Sequence, residues 1–132
     1  MPTNKAIVLV VEDEALVRMN AVGLLEDAGY EVLEAIDTEH ALAILEARTD
    51  IGLVFTDVEM PGAVDGIGLT HRIRERWPLM LMVVASGKAV VDESRLPPGA
   101  RFFRKPYTDT VIVGAMAQMF AANDPGPRNV AI

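Results

Sequence analysis

Cysteine is absent from this sequence of 132 residues, which excludes a disulfide framework, a thiol nucleophile and a thiolate metal site. Long apolar segments are also absent near the start, where the run Ile7 to Val11 is followed directly by acidic residues. The apolar part of a signal peptide takes at least about 7 residues and a membrane span takes about 20. We therefore expect a cytoplasmic protein that does not enter a membrane.

Positive charge is scarce, because 12 Lys and Arg stand against 19 Asp and Glu, for a net charge of −7. Binding to nucleic acid needs clustered Lys and Arg, so the composition argues against a nucleic-acid partner. An acidic chain is compatible with a carboxylate-lined cation site. The length suits one domain, predicted over residues 1–122 and followed by a flexible tail over 123–132.

Short strand-like segments alternate with longer helical patterns along the chain. Strands are predicted at residues 6–11, 31–35, 52–56, 80–85 and 101–104, and helices at 14–28, 38–48, 65–77 and 108–122. The first, third and fourth strands are almost entirely apolar, as in central parallel strands, whereas the second and fifth carry charges that suit sheet edges. This alternation predicts an α/β fold with a doubly wound, five-stranded parallel sheet.

Two helical segments carry specific expectations. The first has the apolar residues Leu16, Met19, Leu24 and Leu25 near helical spacing, and Gly29 is suited to end it. Between the fourth and fifth strands, the sequence around Pro97 leaves room for at most two helical turns, at about residues 89–95. We therefore expect the helix at this position to be shortened or irregular.

The residues that follow the strands form a chemically coherent set. They are Glu12 and Asp13 after the first strand, Asp57 after the third, Ser86 after the fourth and Lys105 after the fifth. Parallel strands end at one edge of a sheet, where functional groups of open α/β sheets collect. Three carboxylates held close together repel one another unless a cation joins them, and oxygen ligands favour Mg²⁺. We therefore predict a Mg²⁺ site, which could also accept Mn²⁺.

These motifs, in order, resemble the receiver domain of two-component response regulators, of the single-domain type similar to chemotaxis regulators. The resemblance is carried by Glu12-Asp13, by Asp57 within TDVEMPG, by Ser86-Gly87 and by Lys105-Pro106-Tyr107, and it covers about residues 5–122. It implies the flavodoxin-like strand order 2-1-3-4-5. It also implies a phosphoacceptor that catalyses only its own phosphorylation and dephosphorylation, with a histidine kinase or histidine phosphotransfer protein as donor and a downstream protein as target.

The resemblance also implies roles for individual residues. Asp57 is the expected phosphoacceptor, assisted by Lys105 and Ser86. The expected metal ligands are Asp13, Asp57 and the backbone carbonyl of Glu59, with Glu12 acting through a water. The N–H groups of Val58 and Gly87 are expected to contact the phosphoryl group, and Pro106 is expected to be a cis-proline. Ser86 and Phe102 form the expected switch pair, with the Phe102 ring biased inward, and Glu59 with Lys88 is expected to tune the lifetime of the acyl phosphate.

The last predicted helix has an apolar surplus. Its core stripe is Ile112, Met116, Met119 and Phe120, yet Val111 and Ala115 lie outside that stripe and Asp109 is the only charge in the helix. We expect an interface here, formed by Tyr107, Val111 and Ala115, for a homodimer or a protein partner.

Three other interpretations remain open. One is a phosphatase of the haloacid dehalogenase type, but that family carries its nucleophile after the first strand. Another is a pseudo-receiver that binds partners without phosphorylation. The last is a receiver taken from a hybrid histidine kinase.

Overall fold

The computed structural model describes residues 6–58, 66–87 and 93–122 of the chain. In these ranges the strands are β1 (Ile7–Val11), β2 (Glu31–Ala35), β3 (Ile51–Asp57), β4 (Leu81–Ser86) and β5 (Ala100–Arg104). The helices are α1 (Ala15–Asp27), α2 (Thr38–Ala47), α3 (Gly66–Arg76) and α4 (Asp109–Ala122). The predicted elements are confirmed, and each of their ends lies within one residue of the sequence-based range.

The strands form one parallel sheet in the order β2-β1-β3-β4-β5. This arrangement confirms the predicted doubly wound fold. Within the described residues, the charged strands β2 and β5 are the two edges of the sheet, where charged side chains reach water. The three apolar strands lie between them and are covered on both faces by helices.

Two apolar clusters cover the two faces of the sheet. The first joins alternate residues of β1, β3 and β4 to α1 and α4, through side chains such as Leu25 and Met116. The second joins the intervening strand residues to α2 and α3, through side chains such as Leu45 and Leu69. Successive side chains of a strand point to opposite faces, so a continuous apolar run serves both clusters.

The predicted core face of α1 is only partly right. Leu25 is fully buried and Leu24 is half-buried, but Leu16 is 76% exposed and Met19 is 63% exposed. The buried face is set by Ala21 and Leu25, which are four residues apart. At about 100° per residue, Leu16 lies nearly opposite Leu25 around the helix axis. The helix ends as expected, because Gly29 follows it with φ +99°, a conformation that favours glycine.

The connection between β4 and β5 contains a short 3₁₀ turn at Glu93–Arg95. The rest of the predicted fourth helix, residues 89–92, lies outside the described residues. The turn is held to α3, since Nε2 of His71 contacts the carbonyl oxygen of Arg95. Across the described parts of the chain, we find no helix with the length and apolar character needed to span a membrane.

Candidate functional site

The register of the sheet brings the predicted site residues to one edge. Val11 pairs with Thr56, so the next residues along β1 and β3, Glu12 and Asp57, leave the sheet side by side. On the other side, Ser86 O accepts a hydrogen bond of 2.8 Å from Lys105 N. This backbone contact places the residue after β5 beside the end of β4.

A lysine–carboxylate contact lies at the centre of the site. Nζ of Lys105 donates to Oδ2 of Asp57 at 2.8 Å and lies 3.8 Å from Oε1 of Glu12. Both acidic residues are buried, with exposures of 7% for Asp57 and 4% for Glu12, whereas the lysine side chain is 28% exposed. One ammonium group therefore faces two buried carboxyl groups from the solvent side.

The pKa values of Glu12 and Lys105 are both shifted in this site. Burial, together with the contact to the Asp57 carboxylate, raises the pKa of Glu12 to about 8. Burial alone lowers the pKa of Lys105, but the hydrogen bond to Asp57 and the nearby acidic charges outweigh that effect, so the pKa is raised. Lys105 therefore carries its charge at neutral pH, and Glu12 holds a proton unless another cation is present.

The donors around Asp57 differ in their availability. Ser86 is fully buried, and it follows Ala85, the β4 residue that pairs with Asp57. Gly87 is exposed and lies next to the lysine side chain, because a β-carbon on it would be 4.0 Å from Cδ of Lys105. The N–H of Val58 donates to the carbonyl oxygen of Ala85 at 3.0 Å. In this conformation the N–H of Val58 is engaged in the sheet, and its expected contact with a phosphoryl oxygen stays a prediction.

Gly66 is a site residue that the sequence analysis missed. A β-carbon at this first position of α3 would lie 2.0 Å from the carbonyl oxygen of Asp57 and 2.8 Å from the α-carbon of Val58. The N–H of Gly66 also donates to Val58 O at 3.1 Å. Only a residue without a side chain fits here. The one signal in the sequence was a glycine at the start of the helix that follows Asp57.

The donor set is chemically suited to a hard cation. Glu12 and Asp57 supply carboxyl oxygens inside the site, and Asp13 is exposed at its rim. Among residues 6–58, 66–87 and 93–122, no three acidic, histidine or cysteine side chains are grouped so that they could hold a metal ion by themselves. Mg²⁺ commonly takes one or two carboxylates and keeps several waters, so an open, oxygen-only set fits it. Burial first, and then the neighbouring Asp57, raise the pKa of Glu12, and a divalent cation would favour the ionised form of both carboxyl groups.

Comparison with known proteins supports the same interpretation. The family model for the response regulator receiver domain matches residues 8–117. This chain belongs to the response-regulator receiver family. It is 34% identical over 126 residues to the sensor kinase CckA of Brucella abortus, covering 92% of this chain and 13% of that protein. It is 31% identical over 112 residues to the transcriptional regulatory protein PdtaR of Mycobacterium tuberculosis, covering 83% of this chain and 54% of that protein.

A solved structure is also similar to this receiver. The response regulator receiver protein from Sinorhizobium medicae is 27% identical, with a TM-score of 0.85, and the match covers 92% of this chain and 98% of that one. Proteins of this family are signalling modules of two-component systems rather than ordinary enzymes, and they interact with histidine kinases and downstream effectors. They generally bind Mg²⁺ at an acidic pocket. The receiver spans about half of PdtaR and a much smaller share of CckA.

The proposed switch residue of the receiver lies beside the site. Phe102 is half-buried and packs against a small cluster formed by Val58, Ile67 and Val84. It pairs across the sheet with Val84, two residues before Ser86. The peptide bond between Lys105 and Pro106 is cis, and Pro106 itself is exposed.

The expected interface on the last helix needs one correction. Val111 is 52% exposed, and Tyr107 is half-buried with its ring edge against Phe55. Ala115, however, is only 8% exposed, so it is covered within the receiver and unavailable to a partner. The reason is geometric: Ala115 lies only about 60° around the helix from Ile112, within the wide buried stripe. Glu59 and Lys88, the predicted lifetime pair, lie outside the described residues.

Proposed function

We propose that this receiver takes a phosphoryl group onto Asp57 from a phosphohistidine of a histidine kinase or histidine phosphotransfer protein. The observation that carries the proposal is the 2.8 Å contact between Nζ of Lys105 and Oδ2 of the buried Asp57. A buried carboxylate paired with a charged lysine is a nucleophile held beside a cation that can compensate the charge of an arriving phosphoryl group. The carboxyl group of the neighbouring Glu12 adds an oxygen ligand for a cation beside Asp57.

The proposed step exchanges one phosphorus bond for another. An oxygen of the Asp57 carboxylate attacks phosphorus and forms the acyl phosphate bond, while the bond from phosphorus to the histidine nitrogen breaks. The electron pair of that bond returns to the imidazole, which then takes a proton from solvent. Hydrolysis of the acyl phosphate by water would return Asp57 to its original state.

Charge accumulates on Asp57 in this step. A carboxylate of charge −1 becomes a phosphoryl group of about −2, and Lys105 lies close enough to compensate. The hydroxyl of Ser86 and the N–H of Gly87 are proposed to bind phosphoryl oxygens. Asp57 and Asp13, with Glu12 acting through water and the carbonyl of Glu59, would hold Mg²⁺ or Mn²⁺. When bound, the cation neutralises the phosphoryl oxygens and orients them.

The signal is proposed to leave the site through β4 and β5. Movement of Ser86 toward the phosphoryl group would open space beside Val84, where the half-buried Phe102 packs. An inward shift of that ring would change the outer surface of β5. Glu59 and Lys88 are proposed to tune how long the acyl phosphate lasts.

The exposed part of α4 is proposed as a docking surface for a downstream protein or for a second copy of the receiver. With Ala115 buried, the surface reduces to Val111 and the half-buried Tyr107. Domain boundaries at 1–122, with a tail over 123–132, remain our proposal.

The test is incubation with acetyl phosphate, with and without Mg²⁺, followed by intact mass. We expect the wild type to gain the mass of one phosphoryl group only with the cation present. Asp57→Asn should gain none, because an amide is a poor nucleophile. Asp27→Asn, at an exposed position on α1, is the matched control and should be modified like the wild type. Modification of Asp57→Asn to the wild-type extent would refute the assignment.

A second function is favoured by the match to a sensor kinase. Because the receiver covers only 13% of CckA, a role inside a longer hybrid kinase is a real alternative. In that role Asp57 would pass its phosphoryl group to another histidine. Transfer from the phosphorylated receiver to a histidine phosphotransfer protein would support this version, and full partner binding by Asp57→Asn would support a pseudo-receiver instead.

A further inference from the structure

Arg18 joins three parts of the chain that meet beside the acidic site. It lies on α1, just after the loop of residues 12–14 that connects β1 to this helix. Its Nη1 donates to the main-chain carbonyl of Glu12 at 2.9 Å, and the carbonyl of Asp13 lies 3.5 Å away. Its Nε donates to Oε1 of Glu34 on β2 at 3.0 Å. The guanidinium group therefore links the acidic loop to the edge strand.

The peptide that Arg18 contacts belongs to a tightly held residue. Glu12 is buried; its N–H donates to Ala35 O at 3.0 Å, and its Oε2 accepts from the N–H of Glu14 at 3.0 Å. The carbonyl of Glu12 accepts from Arg18. A carbonyl in such a buried residue needs a donor, since an unpaired one is unfavourable. Together these contacts fix both the peptide and the carboxyl group of Glu12.

The environment of Arg18 suits a fixed rather than a solvated cation. Its side chain is 17% exposed, whereas that of its partner Glu34 is 50% exposed. Two different nitrogens of one planar group make the two contacts, one to the loop and one to β2. A lysine carries a single ammonium nitrogen and lacks this fixed two-sided geometry.

We propose that Arg18 is a positioning residue of the phosphoacceptor site. By holding the Glu12 and Asp13 peptides against β2, it keeps both acidic side chains directed at the site and so sets the affinity for the divalent cation. The inference rests on the proposed function, because the carboxyl groups that Arg18 positions are those expected to hold the cation. Groups that orient metal ligands in this way commonly change metal affinity by about 10- to 100-fold.

The sign of the effect separates positioning from simple charge. Arg18 is a cation near the acids, so through charge alone its removal would strengthen the binding of a second cation. Loss of positioning has the opposite effect and weakens binding. A variant that removes the charge and still binds Mg²⁺ more weakly can therefore be explained only by the lost geometry.

The experiment measures Mg²⁺ binding to the whole chain by calorimetry and the Mg²⁺ dependence of phosphorylation by acetyl phosphate. For Arg18→Met we expect the Kd for Mg²⁺ to rise about 10-fold or more. The half-saturating Mg²⁺ concentration should rise in parallel, while the phosphorylation rate at saturating Mg²⁺ stays within about twofold of wild type. Arg18→Lys keeps the charge and most of the stability, and it should also bind Mg²⁺ more weakly.

The matched control is Arg72→Met, which removes the same charge from an exposed position on α3 and should leave the Kd near that of the wild type. Wild-type or tighter Mg²⁺ binding by both Arg18 variants would overturn the inference, as would an equal loss in the control. These results leave the proposed function intact if the wild type is still modified at Asp57. A wild type that takes no phosphoryl group would instead refute the proposed function itself.

Discussion

At the scale of single residues, the site depends on a contact that involves no side chain. The backbone of Asp57 passes so close to Gly66 that a β-carbon there would lie 2.0 Å from the Asp57 carbonyl oxygen. The nucleophile and the first turn of α3 are therefore locked together. Any shift that makes room for a side chain must move the backbone that carries the acid.

Gly66→Ala tests this constraint. We expect it to lower the free energy of unfolding by about 1–3 kcal/mol, as overpacking does, and to slow the modification of Asp57 by acetyl phosphate. Gly23→Ala, in the interior of α1, is the matched control, because no described atom outside the backbone of its own helix lies within 4 Å of the added β-carbon. That control should be neutral or slightly stabilising. Urea unfolding measures the first quantity and intact mass over time the second; equal behaviour of the two variants would contradict the constraint.

At the scale of elements, α4 is held to the sheet by side chains that are almost completely buried. Ile112 and Met116 are 0% exposed and belong to the cluster formed with β1, β3 and β4. Near the end of the helix, Phe120 stacks on Tyr30, with ring centroids 5.5 Å apart. The same ring approaches Gly52, where an added β-carbon would lie 3.0 Å from it. The helix therefore has little freedom to slide along the sheet.

Met116→Ala should cost about 2–5 kcal/mol of the free energy of unfolding, because it leaves a cavity under α4. Val111 lies on the same helix but is 52% exposed, so Val111→Ala should change that free energy by no more than about 0.5 kcal/mol. Urea denaturation of both variants at one protein concentration makes the comparison. A similar loss in the two would mean that Val111 is covered in solution, as in a dimer through this helix.

The sequence predicted the elements well because each strand and helix has a local signal. Val8 to Val11 form a continuous apolar run that suits a central strand, and Gly29 has the conformation that ends a helix. The buried face of α1 could not be predicted, because the rotation of the helix about its own axis decides whether Leu16 or Ala21 faces the sheet. Both residues are apolar, so residue type alone does not distinguish them.

The central side chains of the candidate site were predicted from the sequence, but the contacts that support them were not. The meeting of Glu12, Asp57 and Lys105 follows from strand ends in a parallel sheet, so a residue pattern was enough. Gly66 and Arg18 act on main-chain carbonyls whose positions depend on the loops around them. Neither interaction leaves a signature in residue type or spacing alone.

At the scale of the whole molecule, the buried acid links folding to pH. Burial and the neighbouring Asp57 raise the pKa of Glu12 from 4.5 to about 8. A carboxyl group with a raised pKa in the folded state binds a proton more tightly there than in the unfolded chain. Its contribution to stability is complete below pH 4.5, declines between pH 4.5 and about 8, and is absent above that.

Without divalent cations, we therefore expect the unfolding free energy of the wild type to fall as pH rises from about 5.5 to about 8.5, with a ceiling of about 1.4 kcal/mol per pH unit for one proton. Glu12→Gln cannot ionise and should lose much of this slope. Glu26→Gln, exposed on α1, should keep it. Urea melts at several pH values provide the measurement, and identical slopes in all three proteins would contradict the assignment to Glu12.

The placement of the only tryptophan has a practical consequence for watching this receiver at work. Trp77 follows the last residue of α3, whose first residue touches Asp57, and the 11 residues of that helix span about 16 Å. Its ring packs against the core on the α3 side of the sheet and lies 4.8 Å from the guanidinium carbon of Arg76. Ultraviolet emission from Trp77 will therefore report denaturation and change little when Asp57 is phosphorylated. A dye or an isotopic label near the acidic residues is needed to follow signalling in real time.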